Sequence, residues 1–485
     1  MEDTLEDNKE KNSALSNLAW RFAERCGAQG VAFIVSIVLA RILSPDTYGT
    51  IALITVFTNI LNVFIDSGLG NALIQKKSAD DLDFSTVFFF NILMCCILYM
   101  GLFLTAPVIA HFYNDDSLTA VIRVLGITLI ISGVKNVQQA YISRMLQFKK
   151  FFFATLGGTI GAAILGIGVA LNGGGVWALV VQQIFNAAVD TIILWFTVSL
   201  KPRLVFSFQR LRGLFSYGWK LLVSSLLDTV YNNLEQLIIG KVYSNTDLAY
   251  YNRGRQFPNF MVANINNSID SVLLPVMSRA QDDKSHIKAM TRRSIKTSTY
   301  IMAPMMMGLA FCAEPIIRLI LTDKWLPCVP FMRIFCCTFM FYPIHTANLN
   351  AIKAMGRSDL FLKLEIEKKI VGIVLLFSTM WFGVLVMAYG LLINSVLCQI
   401  INSWPNRKLL NYGYLEQLKD IMPSILLALI MGLCVNAVSY LGFSDIVTLM
   451  LQVSLGVAIF VVLSAILKLE SYEYLKDVVM SVRKK

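Results

Sequence analysis

In the stretch DTVYNNLEQLIIGK, Asp228, Asn232 and Glu235 stand at positions i, i+4 and i+7. On an α-helix this spacing gathers two carboxylates and an amide into an arc of about 60°. Such a set can hold a cation or exchange a proton. Arg255, Asn259, Asn266 and Asp270 share a similar arc, beside Pro258, which can kink a helix. Asn59, Asn62 and Asp66 share a face, as do Gln182, Asn186 and Asp190. Smaller groups are Arg21, Glu24, Arg25 and Gln29; Lys135, Gln138 and Gln139; and His345, Asn348 and Lys353. The cysteines form no CxxC pair and have no His partner at ligand spacing, so neither a metal nor a cofactor is expected.

The elements that must position these groups are apolar. The chain has 485 residues, 56% of them hydrophobic and 15% charged, and a mean hydropathy of +0.63. These values belong to a membrane protein with many spans. Apolar runs long enough to cross a bilayer number about fourteen. They lie near 15–43, 48–74, 84–110, 118–141, 151–171, 176–198, 214–241, 247–278, 294–321, 328–352, 361–384, 386–404, 421–440 and 446–467. The N-terminal stretch is acidic and has no cleavage signal, so the first run is expected to be retained. Most cysteines fall inside the runs and read as packing residues.

A charge at a span centre costs about 2.5 to 3.5 kcal/mol and needs a partner, a hydrated cavity or a route to the headgroups. Arg21, Arg25 and Lys220, near Trp20 or Trp219, can either snorkel or face a cavity. Asp228 and Glu235 are too short to snorkel, which favours a cavity. Asp66 and Asp270 suit either ion coupling or a cap or pair within their own helices.

The loops alternate in charge. Those after even-numbered runs carry Lys76 and Lys77; Arg144, Lys149 and Lys150; Lys201, Arg203, Arg210 and Arg212; Arg279, Lys284, Lys288, Arg292 and Arg293; Lys353 and Arg357; and Arg407 and Lys408. Loops after odd runs, such as SPDTY, NDDS and SNTD, have almost no cations. The formal charge of +11 therefore reads as topology, not nucleic-acid binding, and places both termini in the cytoplasm. The outward loops are too short for an active-site domain, and no phosphate-binding GxxxxGK[ST] motif is present, so an enzyme is not expected.

An internal repeat follows. NVFIDSGLG at 62–70 is echoed by NNSIDSVLL at 266–274, aligning Asn62, Asp66 and Ser67 with Asn266, Asp270 and Ser271. Trp20-Arg21 likewise parallels Trp219-Lys220. The expected fold is all-α and polytopic, with about fourteen transmembrane helices: two parallel six-helix repeats around a central cavity, plus two C-terminal helices. The expected divisions are an N-terminal cytoplasmic tail (1–14), N-lobe (15–200), basic cytoplasmic linker (201–213), C-lobe (214–410), lipid-facing peripheral helices (411–467) and cytoplasmic C-terminal tail (468–485).

The stretches LARILSPDTYGTIAL (39–53), DSGLGNALIQKK (66–77), LEQLIIGKVYSNTDLAYYNRGRQF (234–257) and LPVMSRAQDD (274–283) carry a resemblance. The chain is similar to polysaccharide transporters of the multidrug/oligosaccharidyl-lipid/polysaccharide exporter (MOP) superfamily, above all to Wzx-type flippases and lipopolysaccharide or exopolysaccharide export proteins. The resemblance covers essentially the whole chain. It implies export of an undecaprenyl-diphosphate-linked oligosaccharide, such as an O-antigen or exopolysaccharide repeat unit, from the inner to the outer leaflet of a bacterial cytoplasmic membrane by alternating access.

On that implication Arg21, Arg25, Lys135, Lys220 and Arg255 suit the diphosphate, and Asn232, Asn259, Asn266 and Asn348 suit sugar hydroxyls. Glu24, Asp66, Asp228, Glu235 and Asp270 are candidates for coupling to a proton or sodium ion. Expected partners are the lipid-linked substrate, membrane lipids and polysaccharide polymerase or export machinery. The alternatives are a multidrug or cation exporter of the same superfamily and, in a different class, a membrane glycosyltransferase or polymerase.

Overall fold

A computed structural model of the chain describes residues 27–66, 69–76, 79–145 and 148–483, which contain helices and no strand. It divides into two compact units, Met1–Ala249 and Tyr250–Lys485. The first contains α1 (Gly27–Ile42), α2 (Pro45–Asp66), α3 (Leu69–Gln75), α4 (Asp81–Tyr113), α5 (Ser117–Leu125), α6 (Ile127–Arg144), α7 (Phe148–Leu171), α8 (Val176–Thr197) and α9 (Phe208–Val242). The helix α10 (Asn245–Arg279) begins in the first unit and runs into the second. The second continues with α11 (Lys284–Phe311), α12 (Ala313–Leu321), the 3-10 turn Asp323–Cys328, α13 (Val329–Phe339), α14 (Tyr342–Ala354), α15 (Ser358–Thr379), α16 (Val384–Leu409), α17 (Tyr414–Ala437), α18 (Asp445–Ile466) and α19 (Glu470–Arg483).

Among the described residues nine helical stretches are long and apolar enough to cross a bilayer, or ten if α11 and α12, bent by 66°, form one span. The sequence led us to expect about fourteen. The helices α9 and α10, 35 residues each, and α15, 22 residues, do not pass on composition. They carry Asp228 and Glu235, Arg255 and Asp270, and the run Lys363 to Lys369, so they cannot face lipid on all sides.

In the first unit, helices approach closely where glycine removes the side chain. A Cβ on Gly158 would meet Asn186 Oδ1 at 3.0 Å, and one on Gly161 would meet the Phe185 ring at 2.8 Å. The glycine-rich stretch of α7 is thus consumed by contact with α8. Gly173 and Gly175, at φ of 79° and 51°, form the turn between them.

One end of this unit is an apolar core, in which Leu73, Phe84, Phe88, Val137, Leu194, Leu211 and Leu214 are buried. Charges rim it. Lys76 pairs with Asp83 at 2.5 Å, Arg210 with Asp80 at 3.4 Å and Arg203 with Asp81 at 3.6 Å. Arg144 donates to the carbonyls of Leu73 and Ile74 that end α3. The basic loops after the second, fourth and sixth apolar runs therefore meet at one end, as the charge alternation requires. The loops SPDTY, NDDS and SNTD meet at the other, where Asn245 donates to Thr50 and Asp115.

In the second unit Met277, Ile287, Ile295, Ile344, Ala347, Ala351 and Tyr412 form the core. Of the two C-terminal helices expected at the lipid-facing periphery, α17 has one packed face and one exposed apolar face, the latter carrying Leu426, Ile430 and Leu433. It packs along α11 so closely that a Cβ on Gly432 would lie 2.2 Å from the Phe311 ring. It also buries Gln417, Asp420, Ser424, Leu427, Ala428, Met431 and Val435. By contrast α18 buries Thr448, Gln452, Gly456, Phe460 and Ser464, every fourth residue, and leaves large apolar side chains such as Met450 and Val457 exposed. Its outward faces suit lipid.

Candidate functional site

The acidic face of α9 is where helical periodicity puts it. Asp228 and Asn232 are exposed and Glu235 is half-buried, with Trp219 and Lys220 exposed nearer the helix start. Arg21, Glu24 and Arg25 lie outside the described residues, and the side chain of Asp66, the last residue of α2, is likewise outside them.

Lys135 does not offer a free cation. Its Nζ lies 3.0 Å from Asp190 Oδ2, across from α6 to α8, and Asp190 is buried. A cation neutralised in this way cannot also serve a diphosphate without breaking a sheltered ion pair. The other Asp190 oxygen, Asn186 Oδ1 and Asn62 Oδ1 are buried acceptors with no donor among the described residues. Asn186 and Asp190 are one helical turn apart on α8, which packs on α2. Oxygen acceptors without donors match the needs of a proton or a hard cation.

In the second unit α10 leaves Asn259 and Asp270 exposed and Arg255 half-buried. Asn266 is already engaged, since its Oδ1 accepts from Thr346 Oγ1 at 2.8 Å. Asn348, expected to meet sugar hydroxyls, is fully buried instead. It exchanges two hydrogen bonds with the Gln417 amide, at 2.8 and 2.9 Å, and its Oδ1 accepts from Asn406 Nδ2 at 2.7 Å. This amide cluster ties α14, α16 and α17 together. Apart from Asn406 Oδ1, which has no donor among the described residues, the three side chains bond to one another, and buried amides paired in this way help to fix a fold.

His345 belongs to the same seam. Ser395 Oγ donates to the Thr338 carbonyl at 3.2 Å and lies 3.5 Å from His345 Nε2, while Asn402 Nδ2 lies 3.1 Å from His345 Nδ1. Donors and acceptors balance when Nε2 carries the hydrogen and Nδ1 accepts from Asn402. Toward the charged end, Arg292 donates twice to Asp420 at 2.8 Å, and Tyr412 Oη donates to the same carboxylate at 2.9 Å.

Two features escaped the sequence reading. The α16 stripe Ser395, Gln399, Asn402 and Asn406 has helical spacing and was there to be found. The partners Gln417 and Asp420 lie in the polar stretch YLEQLKD that leads into the run at 421–440, and no local pattern signals what they meet.

Residues 38–330 match the family described as polysaccharide biosynthesis protein. The chain belongs to that family. Over 389 residues it is 25% identical to the teichuronic acid biosynthesis protein TuaB of Bacillus subtilis (strain 168), covering 79% of this chain and 80% of TuaB. It is 21% identical to the lipopolysaccharide biosynthesis protein WzxC of Escherichia coli (strain K12), covering 81% and 80%. The fold is that of the lipid II flippase MurJ in its inward closed conformation, with a TM-score of 0.75 at 14% identity over 93% of this chain and 98% of that one.

Proposed function

We propose that this member of the polysaccharide biosynthesis protein family is a flippase that moves a lipid-linked oligosaccharide across the bilayer. The supporting observation is a pair of 35-residue helices, α9 and α10, each with a polar face unsuited to lipid that carries exposed Asp228 and Asn232 or Asn259 and Asp270. A polar path lets a glycan head cross while its hydrocarbon tail stays in lipid. Transport proceeds by alternating access of the two repeats, in a chain that crosses a bacterial cytoplasmic membrane with about fourteen spans and keeps both termini in the cytoplasm.

Lys220 and Arg255, with Arg21 and Arg25, hold the diphosphate; Asn232, Asn259 and the Asn266 amide nitrogen contact sugar. Asp228, Glu235, Asp270, Asp66 and Glu24 serve the coupling ion, a proton or sodium. The chain acts as a transporter and not as a glycosyltransferase, and polymerase or export machinery takes up its product. Reconstitution with candidate lipid-linked oligosaccharides, with and without proton or sodium gradients, tests the reading. Outward movement is expected, lost in the Asp228→Asn/Glu235→Gln variant; no movement of any such lipid under any gradient overturns it.

A further inference from the structure

The link between α8 and α9 carries an anomaly at its tip. The Val205 amide donates to the Arg203 carbonyl at 2.7 Å, which closes a three-residue turn centred on Leu204. Turn tips ordinarily carry glycine or a polar residue. Here the tip is a leucine, 93% exposed, and Phe206 and Phe208 after it are 52% and 72% exposed.

The turn is held in a fixed frame. The Arg203 amide donates to Ser85 Oγ at 3.0 Å and the Ser207 amide to Thr86 Oγ1 at 3.1 Å. Both hydroxyls are buried near the start of α4. Leu200 on one side of the turn and Leu211 on the other are buried in the apolar core of this end. The backbone is therefore bonded to α4 between two buried leucines, and the apolar side chains between them are presented outward.

Cations surround them. The segment KPRLVFSFQRLRG at 201–213 has four cations and no acid. Lys201, Arg203, Arg210 and Arg212 are all exposed. Arg203 and Arg210 reach Asp81 and Asp80 only at 3.6 and 3.4 Å, and those carboxylates are themselves more than half exposed. A guanidinium has five donors, so each arginine keeps donors for a second anion. Lys201 donates to the Trp195 carbonyl and stands 5.3 Å from its ring.

Leucine and phenylalanine interleaved with cations, at the end where the basic loops gather, have the make-up of a segment that lies in a membrane surface. The apolar groups enter the acyl boundary and the long cationic stems reach the headgroups. The flanking helices bring a similar surface to it. Near its end α8 exposes Ile192 and Phe196, one turn apart, and α9 exposes Phe215 and Trp219 in its first turns; tryptophan favours the level of the headgroups. An anionic cytoplasmic leaflet supplies the counter-charge for the four cations.

We propose that residues 201–212 are a membrane-surface anchor, in which Leu204, Phe206 and Phe208 enter the cytoplasmic leaflet while Lys201, Arg203, Arg210 and Arg212 hold anionic lipid headgroups. Through Ser85 and Thr86 the anchor sets the depth at which α4 and α9 enter the bilayer. Leu204→Cys and, separately, Phe208→Cys, each in an otherwise cysteine-free full-length chain, are labelled with an environment-sensitive fluorophore. They are reconstituted in nanodiscs of phosphatidylcholine and phosphatidylglycerol. At both sites, quenching by a nitroxide carried on a lipid acyl chain, without quenching by aqueous iodide, is expected. Iodide quenching overturns the anchor, and so does quenching by neither, which would mean a face covered by another copy of the chain.

Native mass spectrometry of the full-length protein tests the headgroups. Arg203→Gln/Arg212→Gln is expected to lower the retention of phosphatidylglycerol over phosphatidylcholine severalfold, and unchanged selectivity overturns the anchor as well. Neither measurement uses transport, so the anchor is judged apart from the flippase reading.

Discussion

Lys135 Nζ and Asp190 Oδ2, 55 residues apart in sequence, lie 3.0 Å apart between α6 and α8, with only a fifth and a tenth of the two side chains exposed. The pair is a structural tie within the first unit. Removing one partner strands the other charge in a medium that solvates it poorly. Lys135→Met is expected to cost about 3 kcal/mol or more, and Asp190→Asn less, because the Lys135 ammonium left behind is the more exposed of the two charges and sits on a long stem that can reach solvent. The double change Lys135→Met/Asp190→Leu should recover most of the loss. Thermal unfolding in detergent reads all three; a Lys135→Met protein as stable as wild type removes the pair from the account.

Asn348 makes the opposite prediction from a sugar ligand. Asn348→Leu leaves the Gln417 and Asn406 amides without their partner, at about 1 to 3 kcal/mol per stranded buried group. The unfolding temperature should fall while the choice among lipid-linked glycans stays the same for the protein that folds. Altered glycan preference at unchanged stability would return Asn348 to the substrate path.

Gly432 and Phe311 define how closely α17 approaches α11. Gly432→Ala pushes a methyl into the ring, an overpacking expected to cost about 1 to 3 kcal/mol. Phe311→Leu makes room, so the double variant should be more stable than Gly432→Ala alone. If the two losses simply add, the helices do not meet at this point.

Asp80 supplies a pH dependence outside the spans. Its carboxylate caps α4 and is held below the usual range, first by the Asp83 backbone amide and then by Arg210 and Lys76, with some opposition from burial. A carboxyl with a lowered folded pKa contributes stability above its unfolded pKa of about 3.9 and loses it as pH falls through the folded value. The start of α4 should therefore loosen below about pH 4. Hydrogen exchange of residues 81–86, corrected for its intrinsic pH dependence, should rise there in wild type and show a smaller acid response in Asp80→Asn.

Local periodicity determined much of this protein by itself. Apolar runs located the helices, alternating loop charge sorted their ends, and the spacing of Asp228, Asn232 and Glu235 placed them together on α9. Each inference needs only the rise and twist of a helix and the cost of charge in lipid. The count of spans was less legible, because a helix lining a polar path lacks the hydropathy that marks a lipid-facing one.

What covers each face was decided by tertiary structure alone. Lys135 and Asn348 looked equally available in the sequence, yet one meets Asp190 and the other a cluster of buried amides. The apolar run of α17 names no partner in the sequence, and the fold sets its Gly432 against Phe311. Periodicity says which way a side chain points along its own helix; the partner it meets comes from a distant part of the chain, and hydrogen bonding and close packing in a water-poor interior settle whether it binds substrate or holds the fold.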